Sequence, residues 1–291
     1  MNGVFSGRWP DRLGIANTAV EWKGQRWSVV RLPVPDDAFA RIALLAHESF
    51  HRIQPAIGIT AKDALNAHLE ERDGRLWLRL ELVALSHALA SSGADSKRHA
   101  RNAMFFLRYR RTLFPGADTL ERALELAEGL AEYSGERVAL EATGLSPLST
   151  VRMIDGHQDD PSYARAFAYA TGPALGLMLD RLDPAWRGKI VKVQDFAGLL
   201  VTASGAGGVL PPLPELIELA RPYGYATLAR FEDNRAEQRK SRAAAYRARL
   251  VDVPVLDLRQ EGLGWAANPL TFFPLDTLGT VFPAGNFGAT W

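Results

Sequence analysis

His47, Glu48 and His51 stand in the order His-Glu-Ser-Phe-His within a stretch of helical spacing. Residues four apart on a helix lie one turn above each other, so two imidazoles can point at one ion. Glu48 is about 100° further round the helix than His47 and can reach a metal-bound water without being a ligand. Two histidines with a carboxylate able to take a proton are the parts of a zinc-dependent hydrolase. The same residues also fit a plainer reading, helix histidines satisfied by neighbouring carboxylates, so the surroundings have to discriminate.

A zinc site with two histidines lacks its third protein ligand, and the chain has no cysteine to supply one. That absence removes thiol catalysis, disulfides and every sulfur-based zinc site, leaving histidine and carboxylates. The segment LERALELAEGLAEYSGERVAL places Glu121, Glu125, Glu128 and Glu132 along one helix face. Its other positions, including Leu124, Leu126, Leu130, Ala131 and Tyr133, are too apolar for a solvated acidic stripe. A carboxylate from this helix is the expected third ligand.

These motifs resemble the gluzincin metallopeptidases, the group of thermolysin and the aminopeptidase-N type enzymes. The resemblance spans about residues 36 to 182. It implies that Glu128, in AEGLAEY, is the third zinc ligand and that Glu132 hydrogen-bonds the first zinc histidine, fixing its tautomer. It also implies that Tyr169, in Tyr169-Ala170-Thr171-Gly172, donates to the oxyanion of the reaction. The chain departs from the family in three ways. Ala127 replaces an asparagine before the glutamate, and the interval from His51 to Glu128 is longer than in aminopeptidase N. The strand motif Gly-x-Met-Glu-Asn is missing; Gly14-Ile15-Ala16-Asn17 stands upstream without the glutamate that binds a free amine. Asn17 and Tyr163 are weaker candidates for substrate binding, and His157 is a weaker candidate beside Tyr169.

The elements that must position these residues are set by periodicity and punctuation. Gly14 to Val20 and Arg26 to Leu32 flank a Lys23-Gly24 turn and predict a hairpin whose edge could pair with an extended peptide. Asp36-Asp37 cap a helix that runs to about Gln54, and its apolar positions wrap enough of the circumference to predict burial. From Ala61 to about Ala142 four helices are expected, with breaks at Asp73-Gly74, Ser92-Gly93 and Pro115-Gly116. Another helix covers about 162 to 182. A glycine- and proline-rich loop comes next at 203 to 214, then helices at about 215 to 220 and 226 to 249, and short terminal strands that include VPVLDL. The fold class is therefore α+β and mostly helical, with a zincin-like catalytic domain over 1–195 and a helical region with short strands over 196–291.

The 291 residues carry 34 basic and 33 acidic side chains, a net charge of +1, with 47% hydrophobic residues. Such a chain has no global field to draw nucleic acid or an anionic membrane. No segment reads as a membrane span and no leader is visible at the N-terminus, so the expected place is the cytoplasm, or the periplasm or exterior if a leader precedes the sequence. Oligomeric state is not encoded legibly. Arg108, Arg110 and Arg111 read either as carboxylate binders or as ion-pair partners. The Arg235 to Arg249 run reads as a solvated helix, and His68, His87 and His99 read as packing or surface residues. The expectation is a zinc-dependent peptidase acting on a peptide or protein. A zincin-fold binding protein without activity and a metal-free helical interaction protein stay compatible with the same residues.

Overall fold

Lys23 and Gly24 both adopt left-handed backbone, with φ of 51° and 72°, which is what a tight two-residue hairpin turn demands. They join β1 (Thr18–Trp22) to β2 (Gln25–Val29) in an antiparallel pair. The computed structural model describes residues 7–8, 16–60, 64–256, 263–267 and 273–289. The expected start of the first strand at Gly14 and Ile15 lies outside these residues, and the strand as described begins at Thr18.

Asp37 caps α1 (Ala38–Ile53), its carboxylate accepting from the Ala40 N–H at 2.8 Å. Beyond α1 the chain forms α2 (Arg72–Ala90), α3 (Gly93–Leu113), α4 (Ala117–Leu124) and α5 (Leu130–Thr143). Then come α6 (Leu148–Gly156), α7 (Ala166–Leu182), α8 (Trp186–Val193) and α9 (Phe196–Ser204). The helical part ends with α10 (Leu213–Ala220) and α11 (Tyr225–Leu250). Two small antiparallel pairs close the described chain, β3 (Leu263–Ala267) with β6 (Gly285–Ala289) and β4 (Phe273–Pro274) with β5 (Thr280–Val281). The protein is thus mostly helical, with a short two-stranded N-terminal sheet. No helix among the described residues is long and apolar enough to cross a membrane.

α2 is buried almost all round, Leu76, Leu78, Leu80, Leu82 and Leu85 fully so, with Arg75, Arg79 and Glu81 buried among them. α3, α6, α7 and α11 pack around it. One apolar cluster runs from Ile59 to Tyr223 and includes Phe196, Leu199 and Leu200 of α9 and Leu216 of α10. A boundary at 195/196 therefore does not separate two cores.

Several local expectations are corrected. Gly74 lies inside the first turn of α2, so Asp73-Gly74 breaks no helix; between α1 and α2 the described residues form only a 3-10 helix, at Ala67–Glu70. α1 is half-buried rather than buried, with Leu45 and Ile53 45% and 48% exposed, because it lies at the outside of the bundle against the hairpin and α5. The helix expected from residue 162 starts at Ala166, and the glycine-rich loop is shorter, because α9 extends to Ser204. Val253 to Leu256 form no strand.

Arg110 and Arg111 are settled as ion-pair partners. Arg110 is fully buried and forks onto Glu121 with two 2.9 Å bonds while also pairing with Glu81. Arg111 reaches Glu121 at 2.8 Å and Glu125 at 2.7 Å, and His68 bonds Glu121 at 2.8 Å. Arg108 instead donates to the carbonyls of Ala206 and Gly208. Burial pushes the Glu81 carboxyl up to about 7, against the pull of Arg110, whereas Arg110 and Arg111 overcome burial to hold Glu121 well below the usual range. Removing one partner of such a buried cluster strands the others without compensation. Arg110→Leu is expected to cost about 3–5 kcal/mol of folding free energy, measurable by denaturant unfolding; a loss under about 1 kcal/mol would contradict the burial of these charges.

Candidate metal centre

The donor atoms predicted from sequence converge. His51 Nε2 is 3.0 Å from His47 Nε2, and Glu128 Oε2 is 3.4 Å from His51 Nε2 and 3.6 Å from His47 Nε2. Two ligands about 2.0–2.1 Å from a shared tetrahedral ion are separated by about 3.3 Å, so the residues fit zinc. Among the described residues these three form the one group arranged to hold a metal ion.

The partners of the other ring nitrogens fix where the lone pairs point. His47 Nδ1 lies 2.7 Å from Glu132 Oε2, and a carboxylate can only accept, so Nδ1 carries the proton. His51 Nδ1 faces Gln54 Oε1 at 3.2 Å. The Gln54 amide is oriented because its Nε2 donates to the carbonyls of Leu126 and Ala127, at 2.6 and 3.3 Å. Both Nε2 atoms are thereby left to present a lone pair to the same small volume. Burial alone would lower His47, but Glu128 and Glu132 overcome burial and push it up to about 9. Burial would likewise raise Glu128, yet the adjacent His47 and His51 rings and the hydrogen bond from Tyr169 hold it well below the usual carboxylate range.

Three local features bring the donors together. The first is a π turn at Glu125–Gly129, in which the Leu130 N–H bonds the Glu125 carbonyl five residues back. Such a turn inserts a residue into the helix and rotates the turns C-terminal to it. Glu121 and Glu125 consequently face Arg110 and Arg111, while Glu128 and Glu132 face the histidines. The four glutamates do not share one face, which corrects the expectation from spacing alone.

The second feature is Gly172 on α7, where an added Cβ would lie 2.4 Å from the Gly129 carbonyl oxygen. The bare backbones touch, and Glu128 and Tyr169 are held side by side. The third is Gly135 on α5, where a Cβ would lie 2.5 Å from the Ala43 carbonyl oxygen of α1. That close crossing sets Glu132 against His47. The hairpin grips the other side of α1, Ser28 donating to the Glu48 carbonyl at 2.9 Å and Arg26 to that of His51 at 3.2 Å.

Tyr169 donates to Glu128 Oε2 at 2.8 Å, and its ring stacks on His47 with centroids 6.0 Å apart. Burial and the Glu128 carboxylate push its phenol above the ordinary range. Pro173, four residues on, has no N–H for the Tyr169 carbonyl, so the helix is loosened where the tyrosine is presented. Glu48 is 4% exposed, and its Oε2 has no hydrogen-bond partner among the described residues. Burial raises its carboxyl, opposed by His47 and His51. A cavity of about 480 Å³ opens beside these groups and is also lined by Asn17, Phe39, Leu44, Glu132, Glu136 and Met153.

Asn17 thus lies at the cavity, where its Oδ1 accepts from the Arg31 N–H at 2.8 Å. Tyr163 does not join the site: its hydroxyl donates to the carbonyls of His157 and Gln158 at 2.7 and 2.8 Å, and Arg75 stacks on its ring. His157 is engaged with Asp160 at 2.6 Å. Sequence reasoning missed Gln54, whose only signal is its place three residues after His51. It also missed Arg165, 3.7 Å from Glu128 Oε1 at the start of α7.

No protein-family model, curated protein or solved structure matches the chain.

Gln54→Ala removes the acceptor that orients His51 and is expected to weaken zinc binding about 10- to 100-fold, read by competition with a chromophoric chelator. Unchanged affinity would show that the amide has no part in orienting the ligand. Gly172→Ala is expected to cost about 1–3 kcal/mol from overpacking and to weaken zinc binding as well, because the Glu128 and Tyr169 backbones must separate. Equal stability and affinity would contradict the close contact.

Proposed function

We propose that the protein is a zinc-dependent peptidase, with His47, His51 and Glu128 as the metal ligands and Glu48 as the proton carrier. One observation carries this reading: three donor atoms meet within 3.6 Å of one another beside a buried Glu48 oxygen that no group among the described residues satisfies. Zinc, when bound, supplies Lewis acidity that lowers the pKa of water and polarises a carbonyl oxygen.

The remaining work falls to the chain's own residues. Glu48 takes a proton from the attacking water and returns it to the departing amine as the C–N bond breaks. A carboxyl raised by burial suits both steps, since it binds a proton firmly enough to carry it. Tyr169 offers the O–H that now rests on Glu128, and a rotation about its C–O bond turns that donor toward a developing oxyanion. Glu132 and Gln54 hold the two imidazoles in the ligand tautomer. An extended peptide can lie in the cavity with the β1–β2 hairpin at one side, where Asn17 marks the entrance to β1. The helix of the two histidines, the downstream glutamate turn and the hairpin are what support a zincin-like fold as part of this proposal.

The deciding experiment compares wild type with Glu48→Gln for zinc content and cleavage of a mixed peptide library. Glu48→Gln is expected to retain about one equivalent of zinc and to lose about 10²- to 10⁴-fold in kcat. Full activity in that variant overturns the mechanism, and zinc retention with no cleavage by the wild type turns the reading toward a metal-holding binding protein. Tyr169→Phe is expected to lower kcat about 10²-fold or more with zinc retained. Loss of zinc instead would assign the phenol to holding Glu128 in place.

A further inference from the structure

Glu136 has no part in the chemistry above, yet it lies in the wall of the same cavity, one helical turn beyond Glu132 on α5. It is 3% exposed. Its Oε1 accepts from the Thr150 hydroxyl at 2.5 Å, and its other oxygen has no hydrogen-bond partner among the described residues. None of the ion pairs among the described residues gives it a lysine or arginine, and the Glu132 carboxylate adds to burial in raising it. A buried carboxylate without a cation is costly to keep and is ordinarily paired.

The rest of the lining sets carboxylates and apolar side chains beside Asn17, His47 and Tyr169. Glu48 and Glu132 add two more carboxylates, and Phe39, Leu44 and Met153 supply apolar surface. His47 is occupied by Glu132 and by the proposed ion, so it is not available to Glu136. A pocket with acidic groups deep in its wall and apolar sides suits a side chain that has a methylene stem and a positive end.

We infer that Glu136 forms a subsite for a cationic group of the substrate, an ammonium or guanidinium on a peptide near the bond to be cut. This inference deepens the peptidase reading and rests on it for the nearness of a scissile bond; the recognition itself needs only the cavity. The shared chemistry is a positive charge, which a lysine or arginine side chain or an amino terminus can provide.

The test uses matched peptides on the full-length protein: a free amino terminus or an acetylated one, each with either lysine or its neutral isostere norleucine. Two readouts are taken, peptide affinity for the Glu48→Gln protein by calorimetry and kcat/KM for the wild type. Affinity is expected to be about tenfold to a hundredfold higher for the cationic peptide, as for a hydrogen bond between charged groups. Adding Glu136→Gln, which keeps the acceptor for Thr150, should abolish that preference and leave the norleucine peptide within about twofold. Preference that tracks lysine in acetylated peptides assigns the side chain, and preference that vanishes on acetylation assigns the amino terminus.

Should Glu136→Gln impair folding, Leu44→Lys provides a second arm, because a partly exposed ammonium on the cavity wall would compete for the carboxylates and erase the same preference. Equal affinity for cationic and neutral peptides, or a preference that survives both variants, overturns the inference. Cleavage without charge preference removes the subsite and leaves the peptidase reading standing. Charge-selective binding without cleavage keeps the subsite and removes the peptidase.

Discussion

Two imidazole nitrogens 3.0 Å apart, each on a ring whose other nitrogen faces an oxygen acceptor, cannot keep two lone pairs in that space without positive charge between them. A carboxylate oxygen completes the same triangle. Glu128 and Glu132 supply the negative charge that, against burial, pushes His47 up to about 9. In the proposed reading a divalent ion would take the same position and displace a proton from it. Much of the surrounding architecture serves this one requirement. Glu132 and Gln54 keep the lone pairs aimed, Tyr169 keeps Glu128 aimed, and the hairpin holds the carbonyls of the helix that carries the histidines.

The buried arginine cluster is the counterweight on the far side of the π turn. Arg111 anchors Glu125 and Arg110 anchors Glu121, so the first half of the acidic helix is tied away from the histidines. The inserted residue then turns Glu128 and Glu132 toward them. Buried ion pairs are weak sources of net stability; their effect here is on register. A helix without the wide turn would send either the anchoring pair or the histidine-facing pair to the wrong side. π turns recur at functional positions in other helices for the same geometric reason.

How much of this is legible in the residues alone depends on the range of each interaction. The cap at Asp37, the His47/His51 spacing and the Lys23-Gly24 turn are local, and periodicity reports them directly. Glu128 and Tyr169 are reachable because each lies in a short motif whose glycine, Gly129 or Gly172, has a packing role visible in the fold as one backbone contact. The π turn is not legible, since nothing in ELAEG distinguishes its wider winding from the usual spacing; spacing accordingly puts four glutamates on one face. The half-exposure of α1 escapes the sequence because apolar residues show where burial is favourable, not which neighbour arrives. Gln54, Arg165 and Glu136 need the third dimension, as the meaning of the first two lies in partners distant along the chain and that of Glu136 in the cation it lacks.

The central claim is that His47, His51 and Glu128 hold one zinc ion, and X-ray absorption on zinc-loaded protein tests it most directly. The expected spectrum shows about one zinc per chain, with two imidazole nitrogens and one carboxylate oxygen at about 2.0–2.1 Å, and that signal is lost in His47→Ala. Zinc binding no stronger in the wild type than in His47→Ala, or a coordination shell without imidazole, would contradict it.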